Sequence, residues 1–422
     1  MTASAAPPVE WTPQPEARAF VNGLVERFLA ACARSRELAA RMADEAGTRF
    51  GDWVDHIQTP DAGDRAKAEA SGFTEKPSLA TSDGCPAFVN EAGLFPPVVV
   101  GGDKLRVAIK VDSVSDFLAT WQLSGARVQG RPLSQLRTAV AFVDEACELL
   151  VVERHGALGF GSISIDANLA LRSMSHYERL RCRRRDWYDL GEGFADLRRV
   201  VESAVAELGQ DLTCDLFFRT EREYWMRRNA AARAQKARQD RLGLGWANHD
   251  HHVYRSSRSC FTDLISVLEA MGMRCRERVH AGDAAGWGAQ VLEHPVTGIV
   301  VLAETDMDAD EAQGGFAHKG FGERDAFGTV GLWCALHGEA ILNAGLHRLG
   351  CAFDAASLDK HSETETWPIA ENRVVKLLQD RRTTAEQAEV FRTDGAVGST
   401  LEGIQRALGF KGFDGNSLVS LG

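Results

Sequence analysis

"DHHVYRSSRSCFTDLISVLEAMGMRCRERVHAGDAAGWGAQVLEHPVTGIVVLAETDM", residues 250–307, reads as a strand, a helix opening near Phe261, a glycine break, and three more strands. Apolar residues three and four apart from Phe261 to Met271 mark the helix. Short apolar runs bounded by Gly, Asp and Pro mark the strands. Residues 106–156, "RVAIKVDSVSDFLATWQLSGARVQGRPLSQLRTAVAFVDEACELLVVERHG", follow the same plan. Phe117 answers Phe261, "LLVVER" answers "VVLAET", and Glu153 falls opposite Glu304. Two βαβββ units in one chain are the mark of a paired-module architecture. A third stretch, "FGDWVDHIQTPDAGDRAKAEASGF" from Phe50, has the same cadence, and "DHI" at 55–57 lines up with "HHV" at 251–253.

Around these units the texture is helical. Residues 1–47 form an N-terminal segment whose apolar spacing from Pro15 predicts one long amphipathic helix or a helical pair, behind an unstructured leader. Residues 48–155 hold the first βαβββ-containing half, 156–245 an Arg-rich helical insert, 246–310 the second module and 311–422 a C-terminal helical segment. The insert's stretches "RLRCRRRDW" and "EREYWMRRNAAARAQKARQDR" read as solvated helices laced by Glu–Arg pairs. The fold class expected is α+β, with paired βαβββ modules forming an open barrel.

Composition narrows the function classes. At 422 residues, with 44% hydrophobic and 25% charged residues, the chain is of the soluble globular type. A net charge of −11 argues against nucleic acid as a general partner, because binding phosphates needs the opposite balance. No run of about 20 apolar residues exists to span a bilayer, and no basic start followed by an apolar core marks a secretory signal. Nine scattered cysteines without a CxxC pair fit reduced thiols in a cytoplasmic protein, and argue against a thiolate zinc site. "GALGFGS" and "AGDAAGWGAQ" lack the strand–turn–helix setting of a phosphate loop, and no nucleophile elbow is present.

A unit with His early in its first strand and Glu in its last resembles the vicinal oxygen chelate superfamily, and within it the 2-oxoadipate dioxygenase/decarboxylase family. The resemblance covers roughly residues 50 to 306 and rests on His56, His252 and Glu304 with the strand cadence. It implies an open barrel that holds a divalent metal between first and last strands. Fe(II) is the metal implied, with Mn or Zn able to take the same ligands. The activity implied is mononuclear non-heme iron oxygenation of a small 2-oxo acid or related carboxylate by O2, with coupled decarboxylation. Two imidazoles and one carboxylate would leave open positions for a chelating acid and O2.

Strand alternation puts His251 and His252 on opposite faces. His252 is the expected ligand, by register with His56, and His251 an alternative. His155, after the closing strand of the first copy, is the rival to His56. Arg137 and Arg255 are the candidates for binding the substrate carboxylate. Glu153 reads as a metal-free twin of Glu304, or as the proton-transfer group of a non-oxidative isomerase or lyase. A metal-free binding module is the reading from another class. His294 sits in a turn and is expected to be exposed. His337 reads as a packed helix histidine.

Overall fold

Strand pairing in the computed structural model, which describes residues 13–351 apart from 80, 82 and 284, together with 371–393 and 419–420, gathers the βαβββ units into two open sheets. The N-terminal periodicity resolves as a pair, α1 (Pro15–Ala31) and α2 (Ala33–Arg41), because Cys32 between them takes an extended backbone, φ −105° and ψ 99°. The leader expected before α1 lies mostly outside the described residues.

The first unit is β1 (Val54–Thr59), α3 (Gly63–Ala70), β2 (Thr74–Glu75), β3 (Ala87–Val89) and β4 (Val98–Val100). The second is β5 (Leu105–Lys110), α4 (Val114–Thr120), β6 (Leu136–Val143) and β7 (Cys147–Arg154), its missing strand reduced to a single bridge between Gln129 and Thr138. Together they make one seven-stranded sheet in the order β2-β3-β4-β1-β5-β7-β6. In each unit the first strand runs parallel to the last, and the units join through antiparallel β1 and β5, with His56 opposite Ala108. This is a paired module, and the fold is α+β.

Four helices follow: α5 (Ala167–Cys182), α6 (Leu190–Leu208), α7 (Gln210–Arg228) and α8 (Ala230–Asp240). The third unit is β8 (His249–Arg255), α9 (Phe261–Ala270), β9 (Arg274–His280), β10 (Trp287–Glu293) and β11 (Val300–Asp306). Beyond it come α10 (Ala309–Ala312), α11 (Phe316–Lys319), α12 (Thr329–His337), β12 (Arg348–Cys351), α13 (Glu371–Gln379) and α14 (Ala385–Thr393). The second sheet runs β12-β8-β11-β10-β9, with Val419–Ser420 on its far edge.

The copies recognised at 106–156 and 250–307 are therefore in different sheets, which corrects the expectation that they pair in one barrel. The unit beginning near Phe50 is the true sheet partner of the second. Only residues 101–104 separate β4 from β5, whereas four helices separate β7 from β8.

Each sheet has one face sealed by helices. Ile57, Val107, Ile109, Leu149 and Val151 share a core with Phe28 of α1 and Phe117 of α4. Alternation turns Ala108, Lys110, Val152 and Arg154 to the other face. Tyr254, Val301 and Ala303 of the second sheet share a core with Phe217 and Phe218 of α7 and Leu264 of α9. Helix α7 is largely buried, Leu212 to Phe218 continuously except for Asp215, with Arg219 and Arg227 exposed. That is the pattern of a helix enclosed between layers. The reading of its "EREYWMRR" stretch as a solvated surface is corrected accordingly. Among the described residues no helix is long and apolar enough to cross a membrane.

Gly156 lets β7 approach the start of α7. Its φ is +61°, and a Cβ there would lie 2.4 Å from the Asp211 carbonyl oxygen. Gly156→Ala is expected to cost on the order of 2 kcal/mol, from left-handed strain plus the clash. Urea denaturation against wild type measures it, and an unchanged midpoint would contradict this contact.

Candidate functional site

Strands β5 and β7 end side by side, so Lys110 and Arg154, their last residues, enter the space facing α7. A cavity of about 300 Å³ lies there, lined among others by Lys110, His155, Asp215, Arg222 and His249. It adjoins a wider groove that shares Lys110, Arg154 and His249 with it.

Most charges at this site are already paired. A bulge in β1 between Val54 and His56 turns Asp55 toward Arg154. The Arg154 Nε donates to Asp55 at 2.6 Å and its Nη2 at 2.7 Å, while its remaining N–H groups reach the Ala157 and Gly159 carbonyls. Burial opposes the Asp55 charge, but Arg154 outweighs it and holds the carboxyl well below the usual range. His155 lies between two carboxylates, its Nδ1 3.2 Å from Asp215 and its Nε2 3.1 Å from Glu153. Burial disfavours its charge, yet hydrogen bonds to Asp215 and Glu153 raise it to about 9. His155 is therefore a cation at neutral pH, with no lone pair for a metal.

Three groups remain uncommitted. The Lys110 ammonium makes no hydrogen bond or ion pair with the described residues, and burial lowers its pKa. Arg222 has no carboxylate partner among them; its single side-chain contact is Nη1 to His252 Nε2 at 3.2 Å. His249 donates Nδ1–H to the Trp246 carbonyl at 2.7 Å, leaving an Nε2 lone pair without a donor among the described residues. Burial, with Arg222 and Lys110 nearby, pushes His249 down to about 3, so it is neutral.

The position of His249 is itself held by the loop after β5. Asp112 accepts the Trp246 backbone N–H at 2.7 Å. Gly245, at φ +69°, permits this, since a Cβ there would lie 2.3 Å from the Asp112 carboxylate. The loop leaving Lys110 and the turn presenting His249 thus form one unit.

The expected metal ligands do not converge. His56 is buried on the first sheet, with its Nδ1 2.7 Å from Asp55 and its ring edge-on to Phe160. His252 is fully buried against Phe218 of α7, its Nδ1 on the Val300 carbonyl and its Nε2 on Arg222. Glu304 pairs in register with Arg255, not with His252, and accepts the Arg255 Nε–H at 2.9 Å. Arg255 in turn stacks over Trp333 of α12. Positions 252 and 255 are an odd number of residues apart, so His252 and Glu304 occupy opposite faces of the second sheet. The three residues do not fit one metal ion. Among the described residues, the His, Cys, Asp and Glu side chains that come within 4.8 Å of one another in threes are Cys32–Asp144–Cys147 and Glu269–Cys275–His318.

The remaining expectations divide. Arg137 and Arg255 are consumed by Glu153 and Glu304, at 2.8 and 2.9 Å, and cannot clamp a substrate without breaking those pairs. Glu153 accepts the Val114 N–H at the start of α4, which makes it a helix cap rather than a twin of Glu304. His251 is partly exposed beside Asp250. His294 does sit in a turn, but it is buried, its Nδ1 accepting the Val296 and Thr297 N–H groups. His337 packs on Trp333, as a helix histidine does.

Two residues that line the cavity were not singled out in the sequence, and a third was passed over. Lys110 closes the apolar run "RVAIK", and Arg222 is one of many arginines in its stretch. His249 stood in the histidine cluster, but register with His56 favoured His252. A lysine on the non-helical face of a strand was the available signal.

No family model matches the chain, and no curated protein matches it. Among solved structures, a glyoxalase I mutant from Zea mays is similar at 10% identity, covering 60% of this chain and 68% of that one with a TM-score of 0.19. A 4-hydroxymandelate synthase mutant from Streptomyces coelicolor is similar at 10% identity, covering 84% and 82%, also with a TM-score of 0.19. Likeness at this level carries no inference about chemistry.

Two outcomes follow from the geometry. Glu304→Ala leaves the Arg255 charge buried and unpaired, so a stability loss of about 3–5 kcal/mol is expected in metal-free protein. Calorimetric unfolding in chelator tests it, and a silent variant would refute the buried pair. His155, raised from its ordinary value near 6.5 to about 9, contributes stability fully below pH 6.5. That contribution, on the order of 3 kcal/mol, is lost as pH rises through 9. Denaturation midpoints between pH 6 and 10 should fall for wild type and flatten for His155→Gln.

Proposed function

We propose that this chain is an enzyme that binds a small 2-oxo acid or related carboxylate in the cavity between the first sheet and α7. The observation that carries the reading is the pairing pattern. In an acidic chain, Arg222 and Lys110 line one cavity without a carboxylate ion pair among the described residues, beside a neutral His249 whose Nε2 accepts no hydrogen bond from them. A desolvated cation is costly to leave uncompensated, and a ligand carboxylate supplies what the protein does not. A cavity of about 300 Å³ suits a molecule of that size.

The small-acid substrate expected from the resemblance is thus retained, at different residues. The iron-dependent oxygenation expected with it requires His56, His252 and Glu304 on one ion. Their placement does not support that set, and no step is derived through a metal. The chemistry supported is non-oxidative: Arg222 orients the carboxylate, Lys110 polarises the adjacent carbonyl, and His249 Nε2 accepts a proton. His249 becomes a stronger base once the ligand's negative charge offsets its cationic neighbours.

Isothermal calorimetry with pyruvate and 2-oxoglutarate tests this. Wild type is expected to bind at least one of them. Arg222→Gln should weaken binding about ten-fold or more, the worth of one charge-assisted hydrogen bond. Absent binding, or equal affinity in the variant, would overturn the proposal.

A further inference from the structure

Lys110 differs from the other cations at the cavity in more than its lack of a partner. Arg154 is saturated by Asp55 and two carbonyls, and His155 by two carboxylates. The carboxylates nearest Lys110 in charge, Asp55 and Asp215, are those same partners and are already occupied. The side chain stands at the end of β5 and lines both the cavity that holds Arg222 and the adjoining groove. Across the space His249 offers a proton-accepting Nε2. A lysine that is half-buried, makes no hydrogen bond or ion pair with the described residues, has Arg154 and Arg222 among its neighbours and shares its cavity with a neutral imidazole is placed as an amine nucleophile rather than as a point charge.

We propose that Lys110 forms an imine with the C2 carbonyl of a 2-oxo acid whose carboxylate is held by Arg222. This rests on the carboxylate reading and deepens it. The Lys110 ammonium first passes a proton to His249 Nε2. The free amine then attacks C2, forming the C–N bond as the carbonyl π pair moves to oxygen. That oxygen takes back the proton held by His249 and a second one from nitrogen, and leaves as water. The net change is one ammonium and one carbonyl converted to one iminium and one water, with no electrons gained or lost. The iminium then acidifies C3 of the bound acid. This makes the reaction class one of proton or carbon-fragment transfer at C3. Burial, which lowers the lysine pKa, favours the first step.

The test is reductive trapping on the full chain. Wild-type protein is incubated with pyruvate, 2-oxobutyrate or 2-oxoglutarate, sodium borohydride is added, and intact mass and peptide maps are recorded. One reduced adduct per chain, located at Lys110 and lost in Lys110→Arg, is expected. Calorimetric binding of the same acid to wild type, and its weakening in Arg222→Gln, reads the carboxylate site separately from the adduct. Binding without a trapped adduct overturns the imine and leaves the carboxylate site standing. Adduct on other lysines, or adduct undiminished in Lys110→Arg, also overturns it. Neither binding nor trapping overturns both.

Discussion

Helix α7 carries charged side chains into the space between two sheets, and each charge placed there needs a partner. Burying an unpaired ion costs several kcal/mol, so the pairing around α7 organises much of the interior. Asp215 is met by His155 from the end of β7. Glu221 is met by Arg183 and Arg185 and by the Tyr254 hydroxyl. Those two arginines also donate to the Ile341 carbonyl, tying the insert to the C-terminal segment. The Arg-rich "RLRCRRRDW" stretch is thus partly interior. Among the described residues Arg222 is the exception, its one side-chain hydrogen bond going to the His252 imidazole, and Lys110 lines the same cavity from the first sheet without a hydrogen bond or ion pair. The site is defined by what the α7 charges leave unmatched.

Much of the fold was legible because it depends on local periodicity. The βαβββ cadence survives in the strand pairing, and the N-terminal periodicity, which left one helix or a pair open, resolves as a pair. What periodicity does not encode is which unit joins which. The cadence near Phe50 was visible, but its role as the sheet partner of 105–154 depends on a short link and an antiparallel β1–β5 edge. Those are tertiary choices.

The candidate site was legible only in outline. His249, three residues before the expected ligand His252, lines the cavity, and a small acid was the expected substrate. The ligand set failed for a physical reason: β8 and β11 pair so that Glu304 stands beside Arg255, one alternation out of phase with His252. A sequence shows that a His and a Glu lie on neighbouring strands but not their register, and a shift of one residue exchanges the faces. The pairing of Arg137 with Glu153 and of Arg255 with Glu304 was equally invisible, because each partner is a strand away.

A carboxylate entering between Arg222 and Lys110, as proposed, would be reported directly by His249. The imidazole is held near a pKa of about 3 by burial and by those two cations. Nitrogen-15 NMR of the imidazole, titrated with acid at saturating pyruvate and without it, measures the change. A bound carboxylate offsets the cations and should raise the His249 value toward the ordinary one near 6.5. An unchanged His249 titration in protein that demonstrably binds pyruvate would place the ligand elsewhere and contradict the assignment of this cavity.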